Sequence, residues 1–298
     1  MSLTTDLPVT DSDCRLQPLL EHWSRSDLLE QVLEAARTRL PFVDVAVSGG
    51  ARSLVAAALA SRSVADAPTP PAPVLLVTAT TREADDLAEA LSCLLPADRV
   101  ATFPSWETLP HERLSPRSDT VGRRLAVLRR LTHPDPADAA YGPLSVVVAP
   151  VRAVMQPLAK GLGELVPVAL KPGDERPLED VVEALAAAAY SRTDLVERRG
   201  EFAVRGGILD VFPPTEEHPL RVEFWGDTVE EVRWFKVADQ RSLELAQHGL
   251  WAPPCRELLL TDAVRERARR LGAELPGVGD MLAKVAEGIA VEGMESLA

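Results

Sequence analysis

The sequence is poor in aromatic residues and short of positive charge. Aromatic residues make up 4% of its 298 residues, and 32 Lys and Arg stand against 45 Asp and Glu, which gives a formal net charge of −13. A protein that wraps nucleic acid neutralises phosphates with a basic face. The charge therefore disfavours a nonspecific nucleic-acid binder, although a local basic stripe would still permit DNA contact.

Cysteine and histidine are too scattered to indicate a metal site. Cys14, Cys93 and Cys255 form no CxxC pair, and none of the five histidines lies at zinc spacing from a cysteine. No apolar run approaches the roughly 20 residues that cross a bilayer. The first 14 residues lack the basic and apolar segments of a signal peptide. We therefore expect a cytoplasmic, reduced protein with no metal and no cofactor.

The first 165 residues alternate between apolar strands and helices. Strands are predicted at 43–47, 74–79, 99–103 and 144–149, and helices at 51–61, 81–95 and 118–131. Strands that are apolar throughout and alternate with helices indicate a parallel sheet covered on both sides. The sequence therefore predicts an α/β domain of the doubly wound type.

The pattern changes after about residue 165. A helix at 177–189 is followed by alternating strands at 201–212, 220–225 and 229–235, with Gly226-Asp227 as a hairpin turn. Helical patterning returns from about 253. We predict an α/β domain over 1–165, a small α+β domain over 166–252, and a return to the first domain over 253–298. The last segment ends inside a helical pattern, which we interpret as a fragment of a longer protein.

The stretch 43-VDVAVSGGARSLVAAALASR-62 has the form of a phosphate-binding loop. A Walker A loop, G-x-x-x-x-G-K-[ST], needs its glycines for close backbone approach, its lysine for the phosphates and its hydroxyl for Mg²⁺. Here alanines replace both glycines, and the planar guanidinium of arginine does not substitute for the compact ammonium of lysine. We predict a degenerate loop that binds no nucleotide; the alternative is a working site in an ATP-dependent enzyme. The loop comprises Ala46, Gly49, Gly50, Ala51, Arg52 and Ser53.

Two other stretches carry a family resemblance. They are 103-FPSWETLPHERLSPRSDTVGRRLAVLRRL-131 and 200-GEFAVRGGILDVFPP-214, the latter followed by 220-LRVEFWGDTVEEVRWF-235. Together they closely resemble the N-terminal region of the bacterial transcription-repair coupling factor family, which is similar in turn to the excision-repair protein UvrB. The resemblance covers nearly the whole chain, in the expected order.

The resemblance implies both a fold and a function. It implies a degenerate helicase-like domain interrupted by a smaller domain, which in UvrB binds the damage-recognition subunit UvrA. The parent protein would be an ATP-dependent DNA translocase whose motor and RNA-polymerase-binding modules lie outside this chain. The chain itself would be a non-catalytic adaptor that contacts UvrA and other domains of the parent. A DNA-binding module is the remaining alternative.

Three residues are candidates for the UvrA contact. In 220-LRVEFW-225 the aliphatic residues and Phe224 share one face, which leaves Arg221 and Trp225 on the other. Arg and Trp are enriched among interface hot spots, and the resemblance places Arg205, Arg221 and Trp225 towards UvrA. The alternatives are that a further helix covers Trp225 and that Arg205 forms only a surface salt bridge.

Basic residues on two predicted helices are a competing candidate for DNA contact. They are Arg123, Arg124, Arg129 and Arg130, and the run 265-RERARR-270. Such residues could touch phosphate, but we favour a solvated helix face or contact with another domain of the parent.

The stretch that corresponds to the aromatic-rich hairpin of UvrB offers no comparable chemistry. Trp106 is its only aromatic ring between Pro104 and Val121, which is too few for base stacking. Glu107 and Glu112 have no nucleophile or metal ligand nearby, so we do not interpret them as a catalytic pair.

Overall fold

The structure is a computed structural model that describes residues 16–23, 25–65, 73–109, 112–135, 142–272 and 274–297. The chain divides into two compact units, Met1–Phe103 with Pro134–Val154, and Pro104–His133 with Met155–Ala298. The three domains expected from the sequence remain a prediction. Within the described ranges, no helix is long and apolar enough to cross a membrane.

The first unit begins with three helices and has a further helix between its first two strands, whereas most strands of the second unit are consecutive. The helices are α1 Gln17–Trp23, α2 Asp27–Arg37, α3 Ala51–Ala65, α4 Thr81–Ser92, α5 Ser118–Thr132, α6 Val151–Met155, α7 Leu178–Ala187, α8 Asp262–Leu271 and α9 Gly279–Glu287. The strands are β1 Val74–Thr78, β2 Val100–Thr102, β3 Val146–Pro150, β4 Val168–Leu170, β5 Ser191–Arg192, β6 Glu201–Arg205, β7 Ile208–Val211, β8 Leu220–Trp225, β9 Thr228–Phe235, β10 Ser242–Leu245 and β11 Leu250–Ala252. Single 3₁₀ turns lie at Ala97–Arg99, Leu162–Glu164, Pro276–Val278 and Met294–Leu297.

The first unit contains a three-stranded parallel sheet in the order β1-β3-β2. The central strand β3 is buried along its whole length, as expected for a strand in a covered parallel sheet. Helices α3 and α4 pack on one face of this sheet, where Ala57 and Leu91 join Val146 and Val148 in one apolar cluster. The predicted parallel α/β arrangement is confirmed for these strands.

Two predictions about this sheet were wrong. Residues 42–48 form no strand despite the alternating pattern at 43–47, because β-propensity alone does not supply a hydrogen-bonding neighbour. Strand β1 is an edge strand and is not fully buried: Leu75 is 55% and Val77 46% exposed, on the face opposite the helices. The sheet is therefore not covered on both faces at this edge.

The second unit is built round a six-stranded sheet in the order β10-β9-β8-β7-β6-β5. Strands β6 to β10 are antiparallel, and the short β5 runs parallel to β6. Helix α7 packs against one face, which we call the inner face, where Val181 and Leu185 join Leu220 and Val222 in the core. The opposite face, called here the outer face, carries the candidate UvrA residues.

Candidate functional site

Strand β8 has alternating burial, which settles the direction of its side chains. Leu220 and Val222 are fully buried and Phe224 is 9% exposed, all on the inner face. Trp225 is 78% exposed. No element of the described chain covers Trp225, so the alternative in which a further helix buries it does not hold in this structure.

Cross-strand pairing places Arg205 in the same region as β8. Arg205 pairs with Ile208 across β6 and β7, and Ile208 pairs with Glu223 across β7 and β8. Directly opposed residues project from the same face of an antiparallel sheet. Arg205, Ile208, Glu223 and Trp225 therefore line one continuous part of the outer face.

Arg205 is exposed and held by the backbone. Its Nη2 donates a hydrogen bond to the carbonyl oxygen of Asp194 at 3.0 Å. Within the described part of the chain it forms no salt bridge to a carboxylate, contrary to the alternative considered for it. Its charge remains available to a partner.

Arg221 lies on the outer face but is engaged within the protein. Its Nε and Nη2 donate to the two carboxylate oxygens of Asp210 at 2.7 and 2.9 Å, and Nη1 lies 3.4 Å from the carbonyl oxygen of Gln240. The guanidinium also lies 4.8 Å from the ring centroid of Phe235. The hydrogen bond to Asp210 raises the pKa of Arg221. Arg221 therefore differs from Arg205 and Trp225, because most of its bonding capacity is already used.

The sequence reasoning missed the partners that surround these residues. Asp210, directly opposite Arg221 on β7, is almost fully buried. Arg233, directly opposite Arg221, forms a salt bridge with Glu231. Arg233 also donates hydrogen bonds to Glu231, and these lower the pKa of the Glu231 carboxyl group. The alternation of polar and apolar residues in β9 indicates which of its side chains face outwards. Only the strand register shows which residues of β8 they lie beside.

The glycine turn in the first unit is lined by acids. After Gly49 and Gly50 the chain enters α3, and Arg52 Nη1 lies 2.8 Å from Glu83 Oε1. The Ser53 hydroxyl donates to the Gly50 carbonyl at 3.3 Å. These residues, with Asp86, line a cavity of about 330 Å³. A triphosphate placed here would meet two carboxylates and an arginine that is already paired.

Arg124 corrects the expectation of a basic, solvated face on α5. It is fully buried, with Nε 2.5 Å from Glu257 Oε1 and Nη1 2.9 Å from the Pro104 carbonyl oxygen. The Trp106 indole Nε1 donates to the same Glu257 oxygen at 2.9 Å. Arg124 is therefore a core residue and cannot contact DNA, and the buried Trp106 ring cannot stack on a base.

The basic run on α8 is partly neutralised by its neighbours. Arg265 pairs with Asp262 and Arg269 with Glu266. Both arginines also donate to the Ala286 carbonyl oxygen at 3.3 Å. This arrangement favours an intramolecular role over phosphate binding.

The buried cysteine of the second unit is not a reactive thiol. Burial raises the pKa of Cys255 to about 12, so its thiol is protonated at neutral pH. A low pKa is what a nucleophilic cysteine requires. Among the residues that the structure describes, no group of three or more His, Cys, Asp or Glu is placed to hold a metal ion.

Comparison with known proteins found a family model that matches the region of the six-stranded sheet and relatives that match up to nearly the whole chain. The family model of the UvrB interaction domain matches residues 168–253. A transcription-repair-coupling factor of Mycobacterium bovis is 51% identical over 96% of this chain and 23% of its own length. That of Bacillus subtilis is 30% identical over 74% of this chain and 18% of its own length. A UvrABC system protein B of Natronomonas pharaonis is 29% identical over 56% of this chain and 25% of its own length. The chain thus spans about a quarter or less of these relatives.

Proposed function

The chain belongs to the N-terminal, UvrB-like region of the transcription-repair-coupling factor family, and from that premise we propose that it recruits UvrA through the outer face of its second sheet. In this function it is a non-catalytic adaptor that links a stalled RNA polymerase to nucleotide excision repair. Contacts with polymerase and DNA belong to other parts of the parent protein.

The observation that carries the proposal is the exposure of Trp225. Trp225 is 78% exposed on a sheet face, so a partner that covers it removes apolar surface from water, which favours binding. Trp is also among the residues most enriched in interface hot spots. Trp225 lies within residues 168–253, which match the UvrB interaction domain. Arg205 lies on the same face with its charge uncompensated by a carboxylate of the described chain.

The geometry of the glycine turn supports the adaptor over an ATP-dependent enzyme. Arg52 is paired with Glu83, and Glu83 and Asp86 line the neighbouring cavity. Phosphate oxygens would be repelled there, because like charges close together raise the free energy of the bound state. We therefore propose that the chain binds no ATP.

The test is a binding titration of the full chain with purified UvrA, in the absence of nucleotide and DNA. We expect a saturable one-to-one complex in calorimetry and co-elution in size-exclusion chromatography. Purified UvrB competes for the same UvrA surface if both use this sheet. Absence of any complex at micromolar concentrations would refute the proposal.

A further inference from the structure

Arg221 and Asp210 neutralise each other on the outer face. The remaining charges on this face are of both signs. Arg205 lies at one end of the row that continues through Ile208 to Glu223. Trp225 lies two residues beyond Glu223, at the end of β8. The basic and acidic ends of this face are therefore separated by one exposed aliphatic residue.

The surroundings of Trp225 are acidic. The pairing of β8 with β9 shifts by one residue next to Glu223, and Glu230 is the residue of β9 left unpaired there. Beyond it, Trp225 pairs with Thr228. Thr228 also forms an isolated bridge with Glu175, and the exposed Asp227 lies in the intervening turn. The tip of this hairpin therefore combines one exposed indole with several carboxylates.

The two arginines beside Glu223 are each bonded to another carboxylate. Arg221 pairs with Asp210 and Arg233 with Glu231. Within the described residues, neither Glu223 nor Glu230 forms a salt bridge, and both retain solvent exposure. A cation brought to this position would therefore find free carboxylates.

Glu223 also lies across the strand pair from another carboxylate. It is directly opposite Glu231, and like charges at opposed positions of antiparallel strands are destabilising. The two neighbouring arginines offset part of this repulsion, since Glu223 contributes to the raised pKa of each. Local choices that conflict with folding are typical of functional positions.

We propose, on the premise that this face binds UvrA, that Trp225 with Glu223 and Glu230 seats an arginine or lysine side chain of UvrA, while Arg205 contacts a carboxylate. A cation over an indole is attracted by the negative face of the ring, and the attraction grows as water is excluded. The carboxylates add charge-assisted hydrogen bonds to the same cation. The partner surface therefore carries both charges, with its positive group opposite Trp225 and its carboxylate opposite Arg205.

Neutralising the acids tests the charge of the partner. The variants are Glu223→Gln, Glu230→Gln and the double substitution; Glu179→Gln is the matched control, because Glu179 is an exposed glutamate in the first turn of α7, on the inner side. Titration of UvrA into the full chain should give Kd values about two- to fivefold higher for each single variant. The double variant should weaken binding further and reduce its salt dependence. Glu179→Gln should bind as the wild type does.

The aromatic series tests the cation–π contact separately. Trp225→Phe retains a weaker ring quadrupole and Trp225→Leu retains apolar area without one. We expect affinity to fall in the order Trp, Phe, Leu, with unchanged melting temperatures. Equal affinity of the Phe and Leu variants would contradict a cation on the ring.

The outcomes separate this inference from the proposed function. If the wild-type chain does not bind UvrA, recruitment and the two-signed contact are both wrong. If Trp225→Ala abolishes binding while the double Glu→Gln variant binds equally well or more tightly, UvrA binds this face but brings no cation to it. Weaker binding of the double variant, with a melting temperature no lower than that of the wild type, supports the inference.

Discussion

At the scale of single residues, Trp225 and Phe224 are neighbours in β8 with opposite roles. Trp225→Ala should weaken UvrA binding by roughly 2 kcal/mol, about thirtyfold in Kd, with stability changed by no more than about 0.5 kcal/mol. Phe224→Ala should lower the free energy of unfolding by roughly 3–5 kcal/mol, because it leaves a cavity in the inner core. Calorimetric titration and thermal melting of both variants make the comparison. Early melting of Trp225→Ala with wild-type melting of Phe224→Ala would mean that the strand faces the other way.

Arg221 should behave as a folding residue. Arg221→Ala leaves the buried carboxylate of Asp210 without its cation, which should cost about 3 kcal/mol of stability, at the low end for such pairs because Arg221 keeps some exposure. The control is Arg205→Ala, which should stay within about 0.5 kcal/mol. Urea denaturation measures both.

A double variant isolates the cause of this loss. Combining Arg221→Met with Asp210→Leu removes both charges, and should recover most of the stability lost by either substitution alone. If the double variant is as unstable as the sum of the two single variants, the ion pair is not the reason for the loss.

At the scale of elements, a glycine in α5 allows this helix to pack closely against the segment that follows β7. A Cβ on Gly122 would lie 2.3 Å from the Cβ of Pro214. Alanine usually stabilises a helix interior by up to about 1 kcal/mol relative to glycine, but here the clash should reverse the sign and cost about 1–3 kcal/mol. Gly272→Ala at the end of α8 is the control, since its Cβ would meet only ordinary contacts at 3.6 Å and beyond. A rise in the melting temperature of Gly122→Ala would contradict this packing.

The glycine turn before α3 leads to a prediction about nucleotide. The chain should bind no ATP in calorimetry and hydrolyse none, because Glu83 and Asp86 line the cavity beside the glycine turn. Arg52→Lys should create no activity, since Ala51 still hinders close backbone approach and the new lysine would pair with Glu83 as Arg52 does. Micromolar affinity for ATP in either protein would contradict the degenerate loop.

At the scale of the whole molecule, the charge of −13 sets the expectation for DNA. At physiological salt the Kd for duplex DNA should be no tighter than the ~10⁻⁴–10⁻⁶ M of nonspecific contact. A bulky adduct should make no difference, because Trp106 is buried and bonded to Glu257. A gel shift with matched damaged and undamaged duplexes checks this; a clear preference for the adduct would overturn it.

The sequence by itself determined the features that depend on short-range periodicity. The alternation in 220–225 assigned Phe224 and Trp225 to opposite faces, and the structure buries one and exposes the other. The buried strand near 144–149 and the turn at Gly226-Asp227 were also predicted, since apolar runs and turn residues are local signals.

Only the tertiary structure decided which residues meet. Arg221 and Asp210 are 11 residues apart and pair because β7 and β8 are adjacent, whereas Arg124 and Glu257 are 133 residues apart. Residues 43–47 have the pattern of a strand but not the neighbour that a strand needs. Ion pairs, strand pairing and burial all depend on a second segment of chain. A pattern within one segment specifies its faces but not what covers them.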